Sequence, residues 1–247
     1  MQSSGPETIK PYDNTREKTA QVEEMFDSIA PAYDFMNRAM TMGIDRLWRR
    51  KGVNLVAADS PKSILDVSAG TADMSIALAR RLPQAKVTGI DLSEEMLAEG
   101  RVKVGKAGLG DRVTLLQGDC LHLPMADGEF DAVTVVFGVR NFENLLCGYR
   151  EMARVLRPGG RLCVIELAVP ESRWVRPFYN LHTRRVIPLV GRLISKDSRA
   201  YTYLPESIAA MPGGEKMLEL MRSVGLKDAR VSRLTFGVCA IYTAVKA

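Results

Sequence analysis

The chain has 247 residues, of which 46% are hydrophobic and 26% charged, enough for one large α/β domain with an ordinary core. Its net charge of +5 is diffuse, which argues against a nucleic-acid partner and is compatible with an anionic membrane surface. Four cysteines, Cys120, Cys147, Cys163 and Cys239, show no CxxC spacing; this excludes a disulfide frame and a cysteine metal site, so no metal is expected.

In chain order, residues 1–16 mix Ser, Gly, Pro, Glu and Lys without a period and read as a flexible arm. A single domain is expected over 17–247. Val22, Met25, Phe26 and Ile29 at helical spacing predict a helix from Glu17 to about Ala30, ended or kinked by Pro31. Residues 32–50 are rich in Met and aromatics, so 17–58 is expected to form a helical cap that can act as a lid over a ligand mouth.

The stretch Lys62–Ser75 is the centre of the reading. Ser63–Val67 is an apolar, partly β-branched strand, Ser68–Ala72 is a turn with almost no side-chain bulk, and a helix begins after Asp73. Such a turn at a strand's carboxyl end lets a ligand lie on bare backbone, as open α/β sheets do. The next strand, Lys86–Asp91, ends in an acid about 20 residues on, where Asp91 can accept both hydroxyls of a ribose. Strand 113–120 puts Asp119 and Cys120 at its tip, an acceptor and an N–H for an adenine. The turn lacks Gly-x-Gly-x-x-Gly, which disfavours a nicotinamide dinucleotide. A plain strand-turn-helix without a ligand is the alternative.

Beyond the turn the alternation continues. Ser93 caps a helix over 94–106, strand 130–137 is followed by a helix over 144–156, and Pro158-Gly159-Gly160 precedes strand 161–166. Residues 170–212 break the pattern. Arg173, Arg176, Arg184, Arg185 and Arg192 interleave there with Trp174, Phe178, Tyr179, Leu181, Val186, Ile187, Leu189, Val190 and Leu193, which predicts a helical insertion facing substrate or membrane. A last helix, 214–225, precedes a hairpin of 231–235 and 238–245. The expected fold is α/β: a doubly wound, mostly parallel, seven-stranded sheet with a helical lid and a helical insertion. No apolar run is long enough to span a bilayer and residues 1–14 are polar, so a cytoplasmic protein is expected.

The turn Asp66-Val67-Ser68-Ala69-Gly70-Thr71-Ala72 resembles the Asp-x-Gly-x-Gly-x-Gly turn of S-adenosylmethionine (SAM) methyltransferases, with Gly kept at Gly70 alone. Further segments resemble the ubiquinone/menaquinone biosynthesis methyltransferases: Gln21–Asn37, Asp66–Asp73, Phe137-Gly138-x-Arg140-Asn141, Arg157–Gly160 and Tyr201–Ile208. The likeness runs from about residue 20 to the end. The chain departs from the family at Ala69 and Ala72, where Gly is usual, and at Asp45, where His is frequent.

The resemblance implies a Rossmann-like class I fold, SAM as cofactor held by Asp66, Gly70, Thr71, Asp91, Asp119 and Cys120, and methyl transfer to a ring carbon of a reduced prenylated naphthoquinone. A benzoquinol or another small hydrophobic acceptor is the enzymatic alternative, and a non-catalytic subunit with a degraded turn is the other. Arg140 is expected to favour the phenolate and Asn141 to hold the second oxygen. Tyr33, Asp34, Asn37, Tyr201 and Tyr203 are candidates for lining the substrate. Asp45 reads as a base or, in preference, a helix-surface acid, and His122 and His182 as structural. A lipophilic quinol partner places the chain at the inner face of the cell membrane, with homo-oligomerisation open and no nucleic acid.

Overall fold

A computed structural model describes residues 5–186 and 199–247. Seven strands form one sheet: β1 (Ser63–Val67), β2 (Lys86–Asp91), β3 (Val113–Gln117), β4 (Phe130–Val136), β5 (Leu156–Leu167), β6 (Leu226–Leu234) and β7 (Cys239–Lys246). Their order is β3-β2-β1-β4-β5-β7-β6, with β7 antiparallel to both of its neighbours and the rest parallel. This is the doubly wound sheet expected. The order reverses between β1 and β4, which pair Ile64 with Ala132 through Val67 with Val135. Crevices in open α/β sheets lie at such a reversal.

Both faces of the sheet are covered, which explains why the central strands are apolar throughout and not alternating. Leu65, Val67, Val133 and Val135 point to one layer, filled by α6 (Leu145–Val155) and α9 (Glu215–Ser223) through Tyr149, Met152, Met217 and Met221. Ile64, Ala132 and Cys163 point to the other. There α3 (Asp45–Ala57), α4 (Asp73–Arg81) and α5 (Glu94–Lys106) contribute Trp48, Val56, Leu78 and Leu97.

A third, smaller core joins α1 (Lys18–Ile29) and α2 (Tyr33–Thr41) to α8 (Arg199–Ala210) through Met25, Ile29, Met36, Tyr201 and Tyr203. It sets the lid over the carboxyl ends of the strands. The insertion contains α7 (Arg176–Leu181), a π-helical turn (His182–Val186) and α8. Ile187, Leu189, Val190, Arg192 and Leu193 lie outside the described residues.

Three local expectations change. The strand read as 113–120 ends at Gln117, the last hairpin strand begins at Leu226 and not at 231, and residues 5–16 are not loose. Pro6 and Pro11 are buried. The Gln21 amide holds the backbone of Tyr12 and Asp13, accepting from their N–H groups at 2.8 and 3.0 Å. The arm carries no periodic signal because it is tied by side chain to backbone and not by a helix or ladder.

The start of α1 is also held from a distance. Glu17 supplies no side-chain cap. Instead Glu143 accepts from the N–H groups of Lys18 and Thr19 at 3.0 and 3.1 Å and from the Thr19 hydroxyl at 2.6 Å. The first-turn donors of a helix need such partners. Glu143→Ala is therefore expected to lower stability by about 1 kcal/mol, the usual cost of a lost cap. Urea unfolding should show a lower midpoint with an unchanged slope.

Candidate active site

The small-residue turn does what its sequence requires of it. Ser68, Gly70 and Ala72 all take left-handed backbone angles, with φ of 54°, 53° and 64°. Glycine suits these places because a Cβ there is strained, and Ser and Ala bear that strain at two of them. The turn is pinned by Ala69 N–H to the Ile90 carbonyl at 3.0 Å and by Gly70 N–H to the Asp91 carboxylate at 2.8 Å. The degraded-turn alternative thus loses its structural basis.

Two spaces meet above this turn. The first is a narrow crevice of about 50 Å³ along the strand tips. Ser68, Gly70, Asp91, Met96, Asp119, Cys120 and Asn141 line it, and Val22, Phe26 and Tyr33 of the lid close over it. The second is an apolar cavity of about 310 Å³ between the lid and the insertion, walled by Met40, Trp48, Phe137, Val175, Phe178 and Ile208, among others. Phe137 belongs to both walls.

Asp91 is the acid of the crevice. One oxygen accepts from Gly70 N–H and the other from Ser93 N–H at 3.0 Å, which fixes the carboxylate and leaves lone pairs for two hydroxyls. Burial pushes its pKa up to about 6, against the pull of those backbone donors. Asp119 is fixed by the Leu121 N–H at 2.8 Å. Burial raises the Cys120 thiol well above its usual range, so it stays neutral. Gly138 is required by space: a Cβ there would stand 2.6 Å from that of Ser68 and 2.9 Å from Val135. The walls suit a nucleoside with a charged tail. Pockets for such ligands run to about 300 Å³ or more, so entry requires Val22, Phe26 and Tyr33 to withdraw.

Two expected cofactor residues stand outside the crevice lining. Asp66 is buried beneath the turn, accepting from Ser75 and Thr134 hydroxyls at 2.6 and 2.7 Å, with burial raising its pKa to about 6. It braces β1 against β4 and α4. Thr71 donates to Asp34 at 2.6 Å and accepts from Lys103 at 3.0 Å. Asp34, expected against substrate, is instead part of an ion network: Lys103 bridges Asp34 at 2.6 Å and Asp73, and Arg49 pairs with Asp45 and lies 3.8 Å from Asp73. The network ties the lid helices to the turn. Asp45 is consequently buried at 2% exposure, neither a surface acid nor an open base.

Arg140 lies in the wall of the apolar cavity, in a short 3-10 turn (Val139–Asn141) after β4, and is 6% exposed. Its Nη1 donates to Glu166 at 2.7 Å and to the Phe137 carbonyl at 2.5 Å. Burial pulls its pKa down, but the Glu166 charge and hydrogen bond together with Tyr33 and Tyr203 outweigh that, and the net shift is upward. Among the described residues its Nε–H, buried, has no partner. Asn141 accepts from the Tyr203 hydroxyl at 3.1 Å and lines the crevice. Tyr33, Asn37, Tyr201, Tyr203, Arg140 and Asn141 also share a small chamber of about 40 Å³ beside the cavity.

Several residues of the site escaped the sequence reading. Glu166 ends an apolar strand as a buried acid, a visible signal. Lys103 and Lys18 gave none. The Lys18 ammonium donates to the carbonyls of Pro6, Arg140 and Phe142 at 2.7, 2.9 and 3.3 Å, and burial lowers its pKa to about 8. His122 is largely exposed beside Asp119. His182 lines the cavity, with Nε2 2.9 Å from the Met40 carbonyl. A carbonyl only accepts, so Nε2 carries a proton, and in the neutral ring Nδ1 is the acceptor.

Comparison with known proteins agrees with this geometry. Residues 14–246 match the model of the ubiE/COQ5 methyltransferase family. A demethylmenaquinone methyltransferase of Porphyromonas gingivalis is 47% identical over all of both chains. One of Bacteroides fragilis is 46% identical over 97% of this chain and 98% of its own. A ubiquinone/menaquinone biosynthesis C-methyltransferase of Geobacter sulfurreducens is 40% identical over 93% and 90%. Among solved structures, a SAM-dependent methyltransferase from Thermotoga maritima superposes with a TM-score of 0.62 at 18% identity, over 91% of this chain and 99% of that one. The [4+2]-cyclase SpnF superposes with a TM-score of 0.67 at 20% identity, over 92% and 96%, and at that distance speaks for the fold alone.

Two outcomes test the crevice. As pH falls through about 6, Asp91 takes up a proton and loses acceptor capacity, so titration calorimetry should find SAM about tenfold weaker at pH 5 than above pH 7. Asp91→Asn should bind weakly at both. Gly138→Ala should cost about 1–3 kcal/mol of stability, because the added methyl meets Ser68 and Val135 and not a flexible chain end.

Proposed function

This chain belongs to the ubiE/COQ5 methyltransferase family and is a SAM-dependent methyltransferase, and on that premise we propose that it methylates a ring carbon of a reduced prenylated naphthoquinone, demethylmenaquinol to menaquinol. The observation that carries this reading is the unpartnered Nε–H of a buried, permanently charged Arg140 that lines a mostly apolar cavity sharing Phe137 with the cofactor crevice.

SAM supplies the methyl as an electrophilic sulfonium carbon. Gly70, Asp91, Asp119 and Cys120 hold its nucleoside in this reading. The acceptor is a ring carbon beside a phenol, which is a poor nucleophile until the phenol loses its proton near pH ~10. Arg140 cannot be the base, since a guanidinium keeps its protons. Its charge and free N–H instead favour the phenolate. Asn141, which lines the crevice and the small chamber beside the cavity, takes the second oxygen. The phenolic proton passes to Nδ1 of His182. Methyl transfer to the phenolate would cancel its charge, and the apolar walls of Phe137, Trp48 and Ile208 would favour that cancellation. The ring proton is lost to solvent as aromaticity returns, and His182 returns its own proton to the oxygen.

A lipophilic substrate supports the reading of a cytoplasmic protein that works at the inner face of the cell membrane. No helix among the described residues is long and apolar enough to cross a membrane. Large apolar side chains stand out around the cavity: Met42 is 76% exposed, Trp174 80% and Phe178 75%.

Labelled SAM incubated with reduced naphthoquinols and benzoquinols, followed by mass analysis, should give a C-methylated naphthoquinol. A benzoquinol product alone would assign the other branch, and no labelled quinol would remove the reading. Arg140→Lys should bind SAM as the wild type does yet lose about 100-fold or more in turnover, because a point charge replaces a planar fork. His182→Gln should lower turnover while leaving SAM binding as in the wild type.

A further inference from the structure

We propose that the arginine groove between α3 and α4 is a docking site for the phosphate headgroups of an anionic lipid bilayer. The groove is open, about 750 Å³ in volume, and carries Arg38, Arg46, Arg49, Arg50, Arg80 and Arg81. Its one acid is Asp73, already engaged by Lys103 and facing Arg49. Arg49 is paired with Asp45 and Asp73 with Lys103, which leaves Arg38, Arg46, Arg50, Arg80 and Arg81 as five uncompensated positive charges along one groove.

Arg38, Arg46, Arg50, Arg80 and Arg81 are exposed and make no ion pair among the described residues. Unpaired like charges brought together repel one another, and a fold gains nothing from them until an anion arrives. Guanidinium forks match phosphate oxygens in pairs, which makes phosphate the ligand chemistry.

The groove and the apolar cavity both draw lining residues from α2 and α3, Arg38, Arg46 and Arg49 for the groove and Asn37, Met40 and Trp48 for the cavity. Met42, at the turn between α2 and α3, lines that cavity and is 76% exposed. Arg38 and Arg46 flank it in sequence, one helical turn away on either side. Phe35 and Leu47 on the same helices are 60% and 62% exposed. Arginines beside protruding Phe, Met and Leu suit a surface that is charged at its headgroups and apolar beneath them. The commitment to lipid and not to another polyanion rests on the lipophilic-quinol reading, since only a bilayer supplies both the charge and the substrate.

Cosedimentation of the full chain with vesicles tests the site. Wild-type protein should pellet with phosphatidylcholine vesicles containing one third phosphatidylglycerol and stay free with pure phosphatidylcholine, the binding weakening as salt is raised. Each arginine removed should lower partitioning about fivefold, so R46Q/R50Q/R80Q should bind about 100-fold more weakly. A control, R150Q/K227Q/R230Q, removes as many exposed cations from α6 and β6 and should bind within about twofold of wild type. Matching melting temperatures confirm that both variants are folded. The site is overturned if R46Q/R50Q/R80Q partitions as wild type does, if the control loses as much, or if wild type prefers homopolymeric RNA to the vesicles. Turnover of a short-chain soluble naphthoquinol should be the same in all three proteins. If wild type binds anionic vesicles but turns over no such quinol, the functional reading fails while the headgroup site stands.

Discussion

A guanidinium buried in an apolar wall is the constraint around which this molecule is arranged. Left alone there, Arg140 would cost several kcal/mol in lost hydration. Glu166, at the tip of the neighbouring strand β5, offsets that cost by ion pairing, and the Phe137 carbonyl takes a further N–H. The pair needs β4 and β5 side by side, so it depends on the order of the sheet. It also fixes which part of the guanidinium is spent on the protein and leaves Nε–H without a partner among the described residues. A lysine could balance Glu166 but could not divide its donors in this directional way.

Electrostatics also separate the two spaces. The crevice is lined by acids and bare backbone, with Asp91 poised near neutrality. The cavity is hydrocarbon apart from Arg140, Asn37, Thr41, Thr183, Thr235, Tyr179 and His182. The acidic crevice suits a cationic donor and the Arg140 wall an anionic acceptor, and Phe137 lines both spaces. The reaction removes both charges, so an apolar wall opposes the starting ions more than the transition state.

The fold and the frame of the site were legible in the sequence. Ser63–Val67, the small-residue turn, Asp91 and Asp119 are local patterns, written in strand runs and in spacing from one strand tip to the next. The long-range polar pairings were not. Lys103 reaches Asp34 across 69 positions, Lys18 reaches Arg140 across 122, and no periodicity marks either partner. Asp66 and Thr71 misled for the opposite reason. Both belong to the motif, but the structure spends them on bracing β1 and on fastening the lid. A motif residue can serve the turn and not the ligand. The arm was missed because side-chain amides and an ammonium hold it, which composition cannot reveal.

The first turn of α1 touches the catalytic segment at two points. Lys18 seats its ammonium on the carbonyls of Arg140 and Phe142, and Glu143 seats the helix on itself. The same helix carries Val22 and Phe26, which roof the crevice. The roof and the segment that carries Arg140 thus share one set of hydrogen bonds, so lifting the roof by the start of α1 would have to break these bonds or carry residues Arg140 to Glu143 with it.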